Sequence, residues 1–209
     1  MCKGVTHAPW RCETRGVIEL SKRSIALGAV LAGGAATRLG GTKATLELAG
    51  RPLIAYPLEA LAQAGVEAVV VAKEDTALPS LDVPVITEPG EPRHPLAGVI
   101  AALSHAHPRP VLALPCDAPF ISPMLLRVLA SASSATAVRT KDRIHPLIAL
   151  YTPANLSRLE EAVANGESAT QALEALEPEW IQAPGKETFN VNTREDLARA
   201  EEILRQPRS

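Results

Sequence analysis

The chain has 209 residues, 46% of them hydrophobic and only 3% aromatic, with a formal net charge of −2. That length allows one domain with a sizeable aliphatic core, whereas the lack of a basic excess and the scarcity of rings argue against nucleic-acid binding. No apolar run reaches the length of a membrane span, and three cysteines (Cys2, Cys12 and Cys116) form no disulfide framework and suit a reducing cytoplasm.

Residues 1–24 carry Lys3, Arg11, Arg15, Lys22 and Arg23 but lack the apolar stretch of a secretory leader. They are expected to be an unpacked extension of a domain covering residues 25–209. Cys2, His7 and Cys12 have no fourth partner and no compact metal-ligand spacing. The apolar run at 25–31 reads as a buried strand. Residues 52–64 read as a helix opened by Pro52 and closed by Gly65. Strands are predicted at 67–72 and 83–87, a helix at 96–105, and a strand at 110–114 that ends in Pro115-Cys116-Asp117. A helix follows at 123–132 with Ser122 as its N-cap. Strands at 135–139 and 147–151, separated by the charged turn Lys141-Asp142-Arg143, are placed to pair antiparallel. Helices at 153–164 and 169–176, a strand at 180–183 and a closing helix at 194–205, capped by Thr193, complete the chain. Alternating strands and helices predict an α/β domain with a largely parallel sheet.

The first strand leads into Leu31-Ala32-Gly33-Gly34-Ala35-Ala36-Thr37-Arg38-Leu39-Gly40-Gly41-Thr42-Lys43. Glycines leaving a strand let backbone N–H groups approach a polyphosphate without Cβ obstruction. Arg38 and Lys43 add a planar cationic fork and a mobile point charge. The loop is neither a P-loop, because Lys43 follows Thr42 and precedes Ala44, nor a dinucleotide fingerprint, because Gly33 and Gly34 are adjacent. In open α/β sheets ligands bind outside the carboxyl ends of the strands. Both this loop and Asp117 leave such ends, so they are expected to meet in one crevice. Asp117 is the candidate ligand for a divalent cation. Asn190 and Asn192 flank Val191, which puts both side chains on one side of an extended segment. His94, His105 and His107 form no metal triad by spacing, and Cys116, without a partner histidine, reads as a small apolar residue rather than a nucleophile.

The loop resembles L-A-G-G-x-x-x-R-[ML]-G-x-x-K, the signature of nucleotidyltransferases that couple a nucleoside monophosphate to a phosphorylated acceptor. More narrowly, the chain resembles the molybdenum cofactor guanylyltransferases over residues 25–204. Six segments carry the likeness: the loop, Gly50-Arg51-Pro52-Leu53, Pro95-Leu96-Ala97-Gly98, Pro115-Cys116-Asp117-Ala118-Pro119-Phe120, His145-Pro146-Leu147-Ile148-Ala149-Leu150 and Asn190-Val191-Asn192-Thr193. The resemblance implies a three-layer α/β/α Rossmann-like nucleotidyltransferase fold with a mostly parallel central sheet. It also implies transfer of GMP from GTP to molybdenum-molybdopterin with release of pyrophosphate. Mg2+ is the implied cofactor, held by Asp117, and product handover implies transient contact with a molybdoenzyme or its chaperone.

By the same resemblance the backbone of Leu31, Ala32 and Gly33 holds the purine, Gly34 belongs to the GTP-binding set, Lys43 and Arg38 contact the triphosphate, and Glu88 stands where the family often has a nucleotide-contacting aspartate. Asn190 and Asn192 lie on the acceptor side, as does His145 in a segment that faces the pterin. Leu31 favours the guanylyltransferases over their cytidylyltransferase siblings, which tend to have threonine there. The chain departs from the pattern at Thr42, at Ala72-Lys73, and at His94, where the family usually has glycine. Two other readings remain open: a nucleotidyltransferase on the same frame using CTP or a sugar-phosphate acceptor, and a non-catalytic nucleotide-binding regulatory domain.

Overall fold

The computed structural model describes residues 11–12, 25–33, 35–36 and 41–206. Its elements begin with the short strand β1 (Arg11–Cys12), then β2 (Leu27–Leu31) and the two-residue strands β3 (Ala35–Ala36) and β4 (Gly41–Thr42). A single 3-10 turn, Lys43–Thr45, leads into a small hairpin of β5 (Glu47–Leu48) and β6 (Arg51–Pro52). Next come α1 (Ala55–Ala64), β7 (Glu67–Ala72), β8 (Val85–Thr87), α2 (Ala97–Ala106) and β9 (Val111–Pro115). The second half contains α3 (Pro123–Ala130), β10 (Thr136–Arg139), β11 (Ile144–Tyr151), α4 (Leu156–Ala164), α5 (Ala169–Glu174), β12 (Glu179–Gln182) and α6 (Arg194–Arg205).

Eight strands form the main sheet in the order β1-β12-β10-β11-β9-β2-β7-β8. The neighbours β2–β7, β2–β9, β7–β8 and β10–β12 are parallel, while β11 runs antiparallel to both β9 and β10. The predicted antiparallel pairing across the Lys141-Asp142-Arg143 turn is therefore present. One face of the sheet buries Val30, Val70, Leu112 and Leu114 under Leu61 of α1 and Leu125, Leu126 and Leu129 of α3. The other buries Ala29, Val71 and Ala113 under Val99 and Leu103 of α2, Leu159 of α4 and Leu173 of α5. Strands buried on both faces read as continuous apolar runs, which is why β2, β7 and β9 are legible as such. The result is a three-layer α/β/α sandwich.

A third, smaller apolar cluster joins Leu48 and Leu53 to Val191 and Ala200. It docks α6 and the segment before it onto the β5–β6 hairpin, with Phe120 and Phe189 rings 5.9 Å apart at its margin. The hairpin corrects the expected helix at 52–64. The helix starts three residues later, at Ala55, because Arg51–Pro52 pairs with Glu47–Leu48 and the Leu53 N–H donates to the Leu46 carbonyl at 2.7 Å. The N-caps at Ser122 and Thr193 match expectation: each side-chain oxygen accepts from a first-turn amide, Leu125 N–H at 3.1 Å and Asp196 N–H at 3.0 Å. In β11, Pro146 has no N–H to offer the ladder, and the register jumps there from Ala137↔Ala149 to Val138↔His145.

The Arg11–Cys12 strand pairs with β12 at the sheet edge, with three strands between it and β9; the rest of the 1–24 extension lies outside the described residues. Deleting residues 1–23 is expected to leave nucleotide affinity within about twofold of the full chain, since such edges contribute little to a distant site. Titration calorimetry of both chains checks this.

Candidate active site

The parallel pairs β2–β9 and β2–β7 put three strand ends side by side. Leu31 is in register with Pro115 on one side and Val71 on the other. The Leu31 carbonyl accepts from Cys116 N–H at 3.1 Å, and Ala32 N–H donates to the Val71 carbonyl at 2.7 Å. The sheet thus takes up the Leu31 carbonyl and the Ala32 amide, two backbone groups of the stretch read as purine-holding. Chain order reverses around β2, from β7 on one side to β9 on the other, which is the switch point where open α/β sheets bind ligands. A cavity of about 440 Å³ opens there, within the range of small-molecule sites.

Into it the fold brings Leu31, Gly33, Lys43, Glu88, Asp117, Asn190 and Asn192, residues spread over most of the chain. Ala32 lies behind, fully buried. Gly34 and Arg38 lie outside the described residues. Lys43 Nζ is 2.5 Å from Asp117 Oδ2 and donates to Asn192 Oδ1, also at 2.5 Å. The second carboxylate oxygen, Asp117 Oδ1, is buried with no hydrogen-bond partner among the described residues, and so is Asn190 Oδ1. The main chain braces the same spot, since Val191 N–H donates to the Asp117 carbonyl at 2.9 Å. Capping of α6 falls to Thr193 and Asp196, whose carboxylate accepts from Asn192 and Thr193 N–H at 3.0 and 2.9 Å. Both asparagine side chains are thereby released from helix-end duty.

Buried, unpartnered oxygens are costly unless a ligand completes them. Asp117 and Asn190 offer hard oxygen donors of the kind Mg2+ takes together with phosphate oxygens. Among the described residues no group of three His, Cys, Asp or Glu could hold a metal ion. The donor set at Asp117 therefore fits a cation that one carboxylate, an amide and the substrate share, and not a closed zinc site.

Glu88 follows β8, its N–H bonded to the Ala72 carbonyl at 2.9 Å. Its carboxylate occupies space that side chains at two glycine positions would otherwise reach. A Cβ at position 33 would lie 1.9 Å from Glu88 Oε1, and one at position 98 would lie 2.6 Å from Oε2. Burial pushes the Glu88 carboxyl above its usual range, with Lys73 nearby pulling the other way. Lys73, Arg93 and Arg143 also line the cavity. With Lys43 they set four cationic side chains along the cavity, of which Lys43 is paired with Asp117 and Arg93 with Glu91 at 3.2 Å, beside the Glu88 carboxylate, a lining with a cationic bias suited to an anion. Lys73 and Arg93 were missed as lining residues, yet Lys73 carries a usable signal: it directly follows the carboxyl end of a strand beside β2.

His145 is set back from the cavity, opposite Val138, while its neighbours Arg143 and Leu147 line the wall. Its Nε2 is buried and unpartnered among the described residues. Burial, reinforced by Arg143, lowers its pKa to about 4, so the ring is neutral at physiological pH. Cys116 is buried beneath Asp117, and burial with the adjacent carboxylate pushes its thiol up to about 12. A thiol so hard to ionise is no nucleophile.

Strand ends that converge on a lysine–aspartate pair beside a cationic crevice define an α/β protein with a site suited to phosphorylated ligands. Residues 28–180 match the MobA-like NTP transferase domain, and the chain belongs to this family of nucleotidyltransferases. It is 35% identical to the molybdenum cofactor guanylyltransferase of Cereibacter sphaeroides over 85% of this chain and 96% of that protein. It is 33% identical to the protein of that name from Serratia proteamaculans, over 82% and 92% respectively. The crystal structure of molybdopterin-guanine dinucleotide biosynthesis protein A from Archaeoglobus fulgidus superposes with a TM-score of 0.70 at 26% identity, covering 85% of this chain and 98% of that one. The fold extends to 2-C-methyl-D-erythritol 4-phosphate cytidylyltransferase from Thermus thermophilus, with a TM-score of 0.66 at 20% identity, over 87% of this chain and all of the other.

The raised Glu88 carboxyl has a signed consequence. The folded chain holds this proton more tightly than the unfolded chain does, so stability declines as pH rises from 4.5 towards the raised value. Glu88→Gln should therefore raise Tm at about pH 7 and lose that advantage near pH 4. Calorimetric scans across this interval check it; an offset independent of pH would contradict the assignment.

Proposed function

We propose that this protein transfers GMP from GTP to molybdenum-molybdopterin, forming molybdopterin guanine dinucleotide and pyrophosphate. The observation that carries the reading is the convergence of Lys43, Asp117 and Asn192 at the carboxyl ends of β2 and β9, in a chain whose relatives bear that activity in their names.

In such a transfer an acceptor phosphate oxygen bonds to the α-phosphorus of GTP as the bond to pyrophosphate breaks. The chain contributes alignment and charge rather than covalent chemistry. Lys43, held by Asp117 and Asn192, offsets charge building on the triphosphate. Lys73, Arg93 and Arg143 raise the local potential for both anionic substrates. Glu88, fixed between Gly33 and Gly98, sets the floor of the nucleotide pocket. Asn190 and Asn192 face the acceptor side, and Arg143 and Leu147 offer that side a cation and an apolar surface. Asp117 and Asn190 would hold Mg2+, which when bound draws phosphate oxygens together and neutralises their charge. Asp117 Oδ1, buried and unpartnered among the described residues, would be the carboxylate oxygen left for that cation, since Oδ2 takes Lys43. No helix among the described residues is long and apolar enough to cross a membrane, and cytoplasmic work beside molybdoenzymes or their chaperones accords with the product's need for direct handover.

Thermal unfolding with GTP, CTP, ATP and UTP, each with and without Mg2+, tests nucleotide choice. Ligand at about 100 times its Kd adds about 2.7 kcal/mol, or about 5–10 °C for a domain of this size. A Mg2+-dependent shift confined to GTP is expected; a shift confined to CTP would overturn guanylyl transfer. Lys43→Ala should then lower kcat/KM for pyrophosphate release by about 10²–10³-fold with an unchanged far-UV spectrum. Near-normal turnover in that variant would remove Lys43 from the machinery.

A further inference from the structure

One wall of the cavity is the loop between β8 and α2, and it contains His94. The imidazole makes two hydrogen bonds. Leu96 N–H donates to Nδ1 at 3.1 Å, so Nδ1 carries no proton. Nε2 therefore bears the hydrogen and donates it to the Glu167 carbonyl at 2.7 Å, across 73 residues of sequence.

Both ends of this bridge are rigid. Glu167 closes α4 in a helix-ending turn: its N–H bonds to the Ala162 carbonyl at 2.9 Å, Gly166 before it has φ 70°, and its carboxylate takes Arg158 Nη2 at 2.6 Å. At the other end Ala97 N–H donates to the His94 carbonyl at 3.0 Å, so His94 satisfies two amides at the start of α2, whose own N-cap residue, Leu96, makes no side-chain cap bond. One residue on, Gly98 packs behind the cavity wall against Glu88, Leu31 and Val71. A Cβ there would lie 2.6 Å from Glu88 Oε2 and 3.1 Å from Leu31 Cδ2. The first turn of α2 therefore borders the space that the Glu88 carboxylate occupies.

We propose that His94 is a positioning residue for the nucleotide, acting through the first turn of α2 on Glu88. The tie from His94 to the end of α4 holds Gly98 at the depth that keeps the Glu88 carboxylate in its slot. This rests on the guanylyl-transfer reading of the same cavity.

The test is GTP titration calorimetry with Mg2+ on wild type, H94G, H94N, H94Q, E88Q and the H94G/E88Q double variant, with kcat and KM for pyrophosphate release alongside. H94G is expected to weaken GTP binding by about 5- to 30-fold, the range for one or two lost hydrogen bonds, raising KM with little change in kcat. H94Q, which keeps a donor for the Glu167 carbonyl, and H94N, which keeps an acceptor for Leu96 N–H, should each restore part of the affinity. In the double variant the loss should be no greater than in E88Q alone. Unchanged GTP affinity in H94G, or losses that simply multiply in the double variant, would overturn the proposal even if Tm falls. If H94G does not fold, affinities of H94N and H94Q equal to wild type overturn it equally. Failure of wild type to bind GTP would instead refute the guanylyl-transfer reading, and this proposal with it.

Discussion

A single ammonium group ties the site together. Lys43 Nζ lies between Asp117 and Asn192, joining the end of the glycine loop, the end of β9 and the entry to α6. These segments are 74 and 149 residues from Lys43, so the contact forms only once the sheet and the segment before α6 have come together. The Asp117 carboxylate is nearly buried, and a buried carboxylate without a cation would be strongly disfavoured. The surrounding backbone accordingly leaves little freedom: Val191 is bonded to the Asp117 carbonyl and packed in the apolar cluster with Leu48, Leu53 and Ala200. The same apolar cluster that docks α6 thus aims Asn190 and Asn192 at the crevice.

The second constraint is steric. Glu88 occupies volume that any side chain at positions 33 or 98 would claim, so two glycines from separate parts of the chain serve one carboxylate. Their conservative-looking replacement by alanine would push on the floor of the pocket rather than on a solvent loop. Burial raises the energy of the charged form of Glu88, a cost that a site tolerates where the charge has work to do with a ligand. Around this floor the cationic side chains come from the residue after β7, from the β8–α2 loop and from the turn before β11. The field that would draw a triphosphate is therefore a property of assembled strand ends and not of any one segment, and it coexists with a net charge of −2 for the whole chain.

Most of the architecture was legible because buried parallel strands announce themselves as apolar runs and helix starts as Ser or Thr caps. The sequence 67–72 marks β7 to the residue, and Ser122 and Thr193 both cap as expected. Pro52 misled because proline serves a two-residue extended pair as readily as a first helical turn, and the β5–β6 hairpin is too short to leave a periodic pattern. Lys43, Asp117, Glu88 and the two asparagines were legible through motif and strand-end position. His94 was visible only as an oddity, since nothing local in the sequence points to a carbonyl 73 residues away.

The sequence by itself determined the class of fold, the strand ends that could carry chemistry and the residue types suited to phosphate. Those follow from local apolar periodicity, capping and the fixed rule that α/β sheets open at their carboxyl ends. Only the tertiary structure decided which atoms meet: that Lys43 pairs with Asp117 Oδ2 and leaves Oδ1 unpartnered among the described residues, that Glu88 lies against Gly33 and Gly98, and that His94 reaches Glu167. Such contacts depend on strand order, register and the depth at which each helix packs, and these are settled by closing the core as a whole rather than by any stretch of residues within it.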